Sequence, residues 1–193
     1  MSEGHRVAPG WEMLSTGDWL LPHMFEQGYL RKPPGMPWAI AALSWVFGHN
    51  ELAARGVSGL AMIAGSIASA WYARRWFGNS AALAAGVAHL LLPWMWESGR
   101  AAEIESLNNL GTVLAVWGMI DLLGSKGQRA GSVCLAALGI VIAALAKGPA
   151  SLPVILAVSV AACWLSRSIS PLKSREFWLS VIAGAVVVGA IAG

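Results

Sequence analysis

Four groups of residues carry the charge with which this chain could do chemistry. Glu3, His5 and Arg6 stand together at its start, and Lys147 precedes Gly148-Pro149 near its end. Arg31 and Lys32 run into Pro33-Pro34; two prolines hold a backbone extended, so the basic pair is presented rigidly. Glu97, Arg100, Glu103 and Glu105 form the fourth group. Carboxylates beside cations suit a reaction in which a hydroxyl loses its proton next to an anionic leaving group. Plainer explanations exist for three of the groups. Glu103 and Glu105 would also favour the positive end of a helix. Lys147 would snorkel from a helix that Gly-Pro breaks, and Arg31-Lys32 would bind lipid headgroups. His23, His49 and His89 have no second ligand at metal spacing, so they read as core or interface histidines. Asp18 reads as a turn residue. No glycine-rich phosphate loop and no nucleophile elbow is present.

The elements that must position these groups follow from composition. Of 193 residues, 56% are hydrophobic and 12% charged, with 11 tryptophans and 22 glycines. Soluble domains carry about 25% charged residues, so half that fraction points to helices in a membrane. The net charge of +3 comes without a basic cluster interleaved with aromatics, which argues against nucleic acid. Cys134 and Cys163 lie in apolar runs and read as small core residues rather than a disulfide. Gly17-Asp18-Trp19-Leu20-Leu21-Pro22 and Tyr29-Leu30-Arg31-Lys32-Pro33-Pro34 are too polar and proline-rich for lipid, so they belong at a membrane face.

Short helices are expected over 7–16, with Trp11, Leu14 and Met13 on one side, and over 36–48, where Trp38 and Trp45 suit an interfacial position. Spans are expected over 54–74, 80–96, 104–123, 131–146, 150–165 and 177–193. In the first of these, Ala61, Gly65 and Ser69 form a small-residue face for a neighbouring helix. The fold class is thus all-α: a polytopic transmembrane bundle of about six spans (54–193), preceded by an outer-face loop with two interfacial helices (1–53).

Charge fixes the expected orientation. Arg74, Arg75, Lys126, Arg129, Arg167, Lys173 and Arg175 occupy alternate connections, while Glu3, Glu12, Asp18, Glu26, Glu51, Glu97, Glu103 and Glu105 lie on the other side. The positive-inside rule makes the basic connections cytoplasmic. Residues 1–53, 97–103 and Lys147 then share the outer face of the membrane. A missing first helix would deliver residues 1–53 there, and the apolar run ending at Gly193 has no polar flank. The chain is therefore expected to be a fragment lacking a helix before it and several after it.

The order Glu3-Gly4-His5-Arg6, Glu12-Met13-Leu14, Gly17 to Pro22, Tyr29 to Pro34 and Gly48…Glu51-Leu52-Ala53-Ala54-Arg55 resembles the first outer loop of GT-C membrane glycosyltransferases. The resemblance is closest to bacterial relatives of the protein O-mannosyltransferases and of the aminoarabinose transferases that modify lipid A. Gly99-Arg100-Ala101-Ala102-Glu103-Ile104-Glu105 resembles a second family motif, and Ala146-Lys147-Gly148-Pro149 a third. Ser2 stands where the family usually has Asp, and Glu105 where it usually has Asp.

The resemblance implies transfer of a sugar from a polyprenyl-phosphate donor to a lipid, protein or glycan acceptor on the outer face. Lys32, Arg100 and Lys147, with Arg31 behind them, would hold the donor phosphate. Glu3 or Glu105 would take the acceptor proton, and His5, Arg6 and Glu103 would position substrate. Carboxylates facing a phosphate leave room for a divalent cation without requiring one. Two other classes fit the composition: a transporter or flippase for a lipid-linked or anionic solute, and a non-catalytic assembly subunit. A transporter would place charge near the mid-membrane on broken helices, whereas these charges gather at one face.

Overall fold

A computed structural model describes residues 3–19, 23–24, 27–28, 32–124, 129–165 and 175–192. The described chain is helical apart from one minimal hairpin. Helix α1 (Gly4–Thr16) ends where Gly17 turns left-handed (φ 76°), and its N–H closes on the Met13 carbonyl at 3.0 Å. The helix starts three residues earlier than expected because the Glu3 carbonyl already accepts from the Arg6 and Val7 amides. Asp18 sits in the turn that follows, its N–H donating to Thr16 Oγ1 (3.3 Å). Strands β1 (His23–Met24) and β2 (Gln27–Gly28) pair antiparallel. Helix α2 (Gly35–Phe47) packs against α1, burying Met36, Ile40 and Ala41. Trp11 Nε1 ties the two helices together through Ser44 Oγ at 3.0 Å.

Helix α3 (Glu51–Phe77) runs three residues longer at each end than the apolar run suggests. Asn50 caps it, its side chain accepting from the Ala53 amide, and Arg74 and Arg75 complement the dipole in its last turn. The expected 80–96 span is two helices, α4 (Asn79–Leu91) and α5 (Pro93–Gly99). Pro93 forces the change: the residue before a proline avoids helical ψ, and Leu92 is extended at ψ 121°. Helices α6 (Ile104–Gly124) and α7 (Arg129–Lys147) lie within two residues of expectation. A 3₁₀ turn (Gly148–Ser151) leads into α8 (Leu152–Leu165), and α9 (Arg175–Ala192) follows.

The bundle core is the α6–α7 seam, with α3 on one flank and α9 on the other. A Cβ added at Gly111 or Gly139 would land on the partner helix backbone at Ala143 or Ala115, so the two helices touch main chain to main chain. Ala115, Met119, Ala136, Ile140 and Phe177 fill the core beside them. The small face of α3 does receive a neighbour: the imidazole of His89 lies over Gly65, and Ser66 Oγ donates to the Gly86 carbonyl of α4 at 2.9 Å. At the opposite end from Glu51, Arg75 pairs with Asp121 (3.2 Å). Asp121 is a buried residue of α6.

Among the described residues two helices, Glu51–Phe77 and Ala130–Lys147, are long and apolar enough to cross a membrane; α2, α4 and the apolar part of α8 are shorter. Leu60, Ile63, Ile67 and Trp71 form an exposed stripe down α3, of a kind that lipid covers. Cys134 corrects the sequence reading: it is exposed on α7, opposite the face of Ala136, Ile140 and Ala143. In a membrane helix both faces are apolar, so an apolar neighbourhood does not tell core from lipid.

Candidate active site

The start of α6 is where the chemistry-bearing residues meet. Glu3 stands just ahead of α1, and its carboxylate accepts from Arg55 Nε (3.2 Å) and Nη2 (3.1 Å) and from the Ala102 amide (2.8 Å). Such a fork is the strong form of carboxylate recognition. The Arg55 guanidinium, and after it the Ala102 N–H, hold the Glu3 carboxyl below its ordinary value of 4.5. One turn later Arg6 donates to the Ala102 carbonyl (3.2 Å) and pairs with the Glu103 carboxylate. Helix α1 thus grips both polar backbone groups of Ala102. From α3, the hydroxyl of Ser58 donates to the Glu103 carbonyl (2.9 Å) and accepts from the Glu103 amide (3.0 Å).

The second pair joins α6 to α7. Glu105 lies in the first turn of α6 and Lys147 is the last residue of α7. Lys147 Nζ donates to Glu105 Oε2 at 2.7 Å, both side chains partly buried. Helix α7 stops there because Gly148 adopts φ 71°, a conformation that a Cβ disfavours. The segment after Lys32 rests on this same end. A Cβ on Gly35 would lie 2.6 Å from the Leu145 carbonyl, and one on Gly148 would lie 3.8 Å from Pro33 Cγ. Exposed Lys32 is therefore carried to the end of α7 that bears Lys147.

A cavity of about 300 Å³ opens beside these pairs, lined by Trp94, Glu97, Ser98, Ala101, Glu103 and Glu105. Glu97 has no ion-pair partner among the described residues. Arg100 lies over the Trp96 ring, 5.5 Å from its centroid, with its guanidinium exposed. His5 turns away from the cluster, its Nδ1 3.3 Å from Met24 Sδ in the hairpin. Arg31 falls outside the described residues. Among the described residues no three His, Cys, Asp or Glu side chains are placed to hold a metal ion.

The structure therefore gathers Glu3, Arg6 and Glu103 into one cluster and Glu105 and Lys147 into the pair beside it. Sequence reasoning did not assign Arg55 or Ser58 to the site. The Glu51-to-Arg55 spacing of four, seen here as an ion pair of 3.6 Å, was the available signal for the first. Nothing marked the second.

Similarity to known proteins follows the same segments. The chain is 28% identical over 142 residues to the undecaprenyl phosphate-alpha-4-amino-4-deoxy-L-arabinose arabinosyl transferase of Enterobacter sp. (strain 638), covering 71% of this chain and 25% of that protein. Its Aeromonas hydrophila counterpart is 28% identical over 152 residues, covering 77% and 28%. The chain thus spans about a quarter of the length of these relatives. ArnT from Cupriavidus metallidurans bound to undecaprenyl phosphate superposes with a TM-score of 0.90 at 23% identity, over 99% of this chain and 36% of that one. The two share a GT-C membrane fold. A family model described as dolichyl-phosphate-mannose-protein mannosyltransferase matches residues 31–191, and the chain belongs to that family.

Proposed function

We propose that the complete protein is a membrane glycosyltransferase that moves a sugar from a polyprenyl-phosphate carrier to an acceptor at the outer face of a bacterial inner membrane. The observation that carries this reading is the Lys147–Glu105 pair at the edge of the carboxylate-lined cavity. In the reaction the bond between the sugar anomeric carbon and the carrier phosphate oxygen breaks, and a bond to the acceptor oxygen forms. The acceptor proton goes to a carboxylate, and the phosphate leaves on its lipid. A phosphate at this end of α7 competes with Glu105 for the Lys147 ammonium, with Lys32 and Arg100 (and Arg31) adding charge. Donor binding then frees Glu105 to act as the base.

Glu3 is the weaker candidate for that role. Three donors already hold its charge, and a carboxylate so stabilised gives up basicity. We assign it, with Arg6, to holding the loop before α6. Residues 1–53 then form the outer layer over a membrane bundle whose basic connections face the cytoplasm. Glu97 favours a finer reading of the sugar: a carboxylate on the wall of the cavity, without an ion-pair partner among the described residues, suits an amino sugar such as the 4-amino-4-deoxy-arabinose that the relatives' names carry. The acceptor is a lipid, protein or glycan hydroxyl.

The test uses the complete gene product in membranes, with labelled undecaprenyl-phosphate donors carrying either 4-amino-4-deoxy-arabinose or a neutral hexose. Wild type is expected to release carrier phosphate, faster from the amino sugar. Glu105→Gln is expected to lose about 100-fold or more of that rate with the protein still in the membrane, as removal of a general base does. Unchanged turnover in the variant removes Glu105 from the chemistry. Equal use of both donors removes the amino-sugar reading, and no release from any donor returns the protein to transport or assembly.

A further inference from the structure

We infer that Ser58 is a positioning residue that sets where α6 begins, and through it where Glu105 meets Lys147. The inference rests on the transferase reading above for its consequence in turnover, but its structural half stands apart from that reading. Ser58 is fully buried in α3 (0% exposed), and its hydroxyl makes two bonds to one residue of the α5–α6 link. It donates to the Glu103 carbonyl and accepts from the Glu103 amide, reading the backbone rather than the side chain. Such bonds strengthen in apolar surroundings, where water does not compete.

The segment so held needs an anchor. Residues 100–103 form the irregular link between α5 and α6, and the Glu103 amide also closes a tight turn onto the Ala101 carbonyl (2.7 Å). Glu3 and Arg6 hold Ala102 from α1 with charged side chains that reach partly into solvent. Ser58 holds Glu103 from α3, a helix of 27 residues that carries the anchor on a rigid body. Two residues further on comes Glu105. A hydroxyl in the wall of one helix thereby fixes the register at which the reactive carboxylate enters, without touching substrate.

The experiment is amide hydrogen exchange of the complete protein, paired with the transfer assay. In Ser58→Ala, peptides over 100–106 are expected to exchange about tenfold faster while α7 and the rest of α3 keep wild-type rates, a local opening rather than a global one. Ser58→Thr, which keeps the hydroxyl, is expected to return the slow exchange. In the same preparations kcat is expected to fall by about 10- to 100-fold in Ser58→Ala with the donor KM within about twofold, as for a misplaced catalytic group. Exchange over 100–106 that stays within twofold of wild type overturns the inference, as does a rise spread over the whole bundle. If exchange rises locally and kcat stays at wild-type level, Ser58 holds the loop but does not position the reaction, and the inference is also overturned. A wild-type protein that transfers nothing overturns the transferase reading, and the exchange data then decide the anchor on their own.

Discussion

At the scale of single residues, this site is a set of contacts made across long stretches of chain. Glu3 meets Arg55 over 52 positions and Ala102 over 99. Charge made Glu3, Arg6, Glu103, Glu105 and Lys147 visible in the sequence, because ionisable groups are scarce among apolar helices and need partners. Which partner each one takes was not visible. Arg55 read as part of a motif, and Ser58 carried no signal, since a hydroxyl in an apolar run looks the same whether it packs or bonds.

The Glu3–Arg55 fork has a consequence in pH. The Glu3 carboxyl sits below its ordinary 4.5, so its hold on α1 is fully present above that value and is lost only as pH falls through the lower folded value. Amide exchange over α1 should therefore be the same at pH 7 and pH 5, after correction for intrinsic rates, and rise below 4.5. Arg55→Met should raise it at neutral pH by no more than about fivefold, since half-exposed ion pairs are weak. An Arg55→Met protein indistinguishable from wild type at every pH would show that the Ala102 amide alone is enough.

Helices were the most readable elements, because an apolar run of helical length has few other ways to satisfy its backbone in a membrane. Their ends were set by local chemistry that the runs alone understate: Asn50 capping α3, Pro93 cutting the expected 80–96 span, Gly148 stopping α7. Faces were harder. The small positions on α3 announced a neighbour, whereas Gly111, Gly118 and Gly139 gave no sign that α6 and α7 close to backbone contact. Gly139→Val tests that seam. Overpacking a core costs about 1–3 kcal/mol even where side chains can yield, and here the obstacle is the backbone of Ala115. The variant is expected to unfold at a clearly lower temperature in detergent, while Leu138→Ala, on the exposed face of the same helix, stays within a few degrees of wild type. Equal midpoints would mean that the two helices part without cost.

The whole molecule is a bundle with two differently charged ends. Glu51, Glu103, Glu105 and Lys147 stand at one, Arg75 and Asp121 at the other. Orientation in the membrane follows as a prediction. With Cys134 and Cys163 replaced by Ser, an impermeant maleimide applied from outside intact cells stripped of their outer membrane should label His49→Cys and spare Ser80→Cys. The reverse pattern would invert the topology and place the cavity in the cytoplasm. The break at Pro93 matters at this scale too. Thirteen helical residues rise about 20 Å, while the hydrocarbon layer is about 30 Å thick. A bilayer meeting α4 either thins around it or leaves the α4–α5 turn submerged beneath its nearer boundary. Where the bilayer thins, its surface is a dimple with Trp94 and Glu97 on the floor; where it does not, both lie below the boundary. On the transferase reading proposed above, a lipid-borne phosphate would then come to the carboxylates by lateral diffusion alone, its tail never leaving the oil.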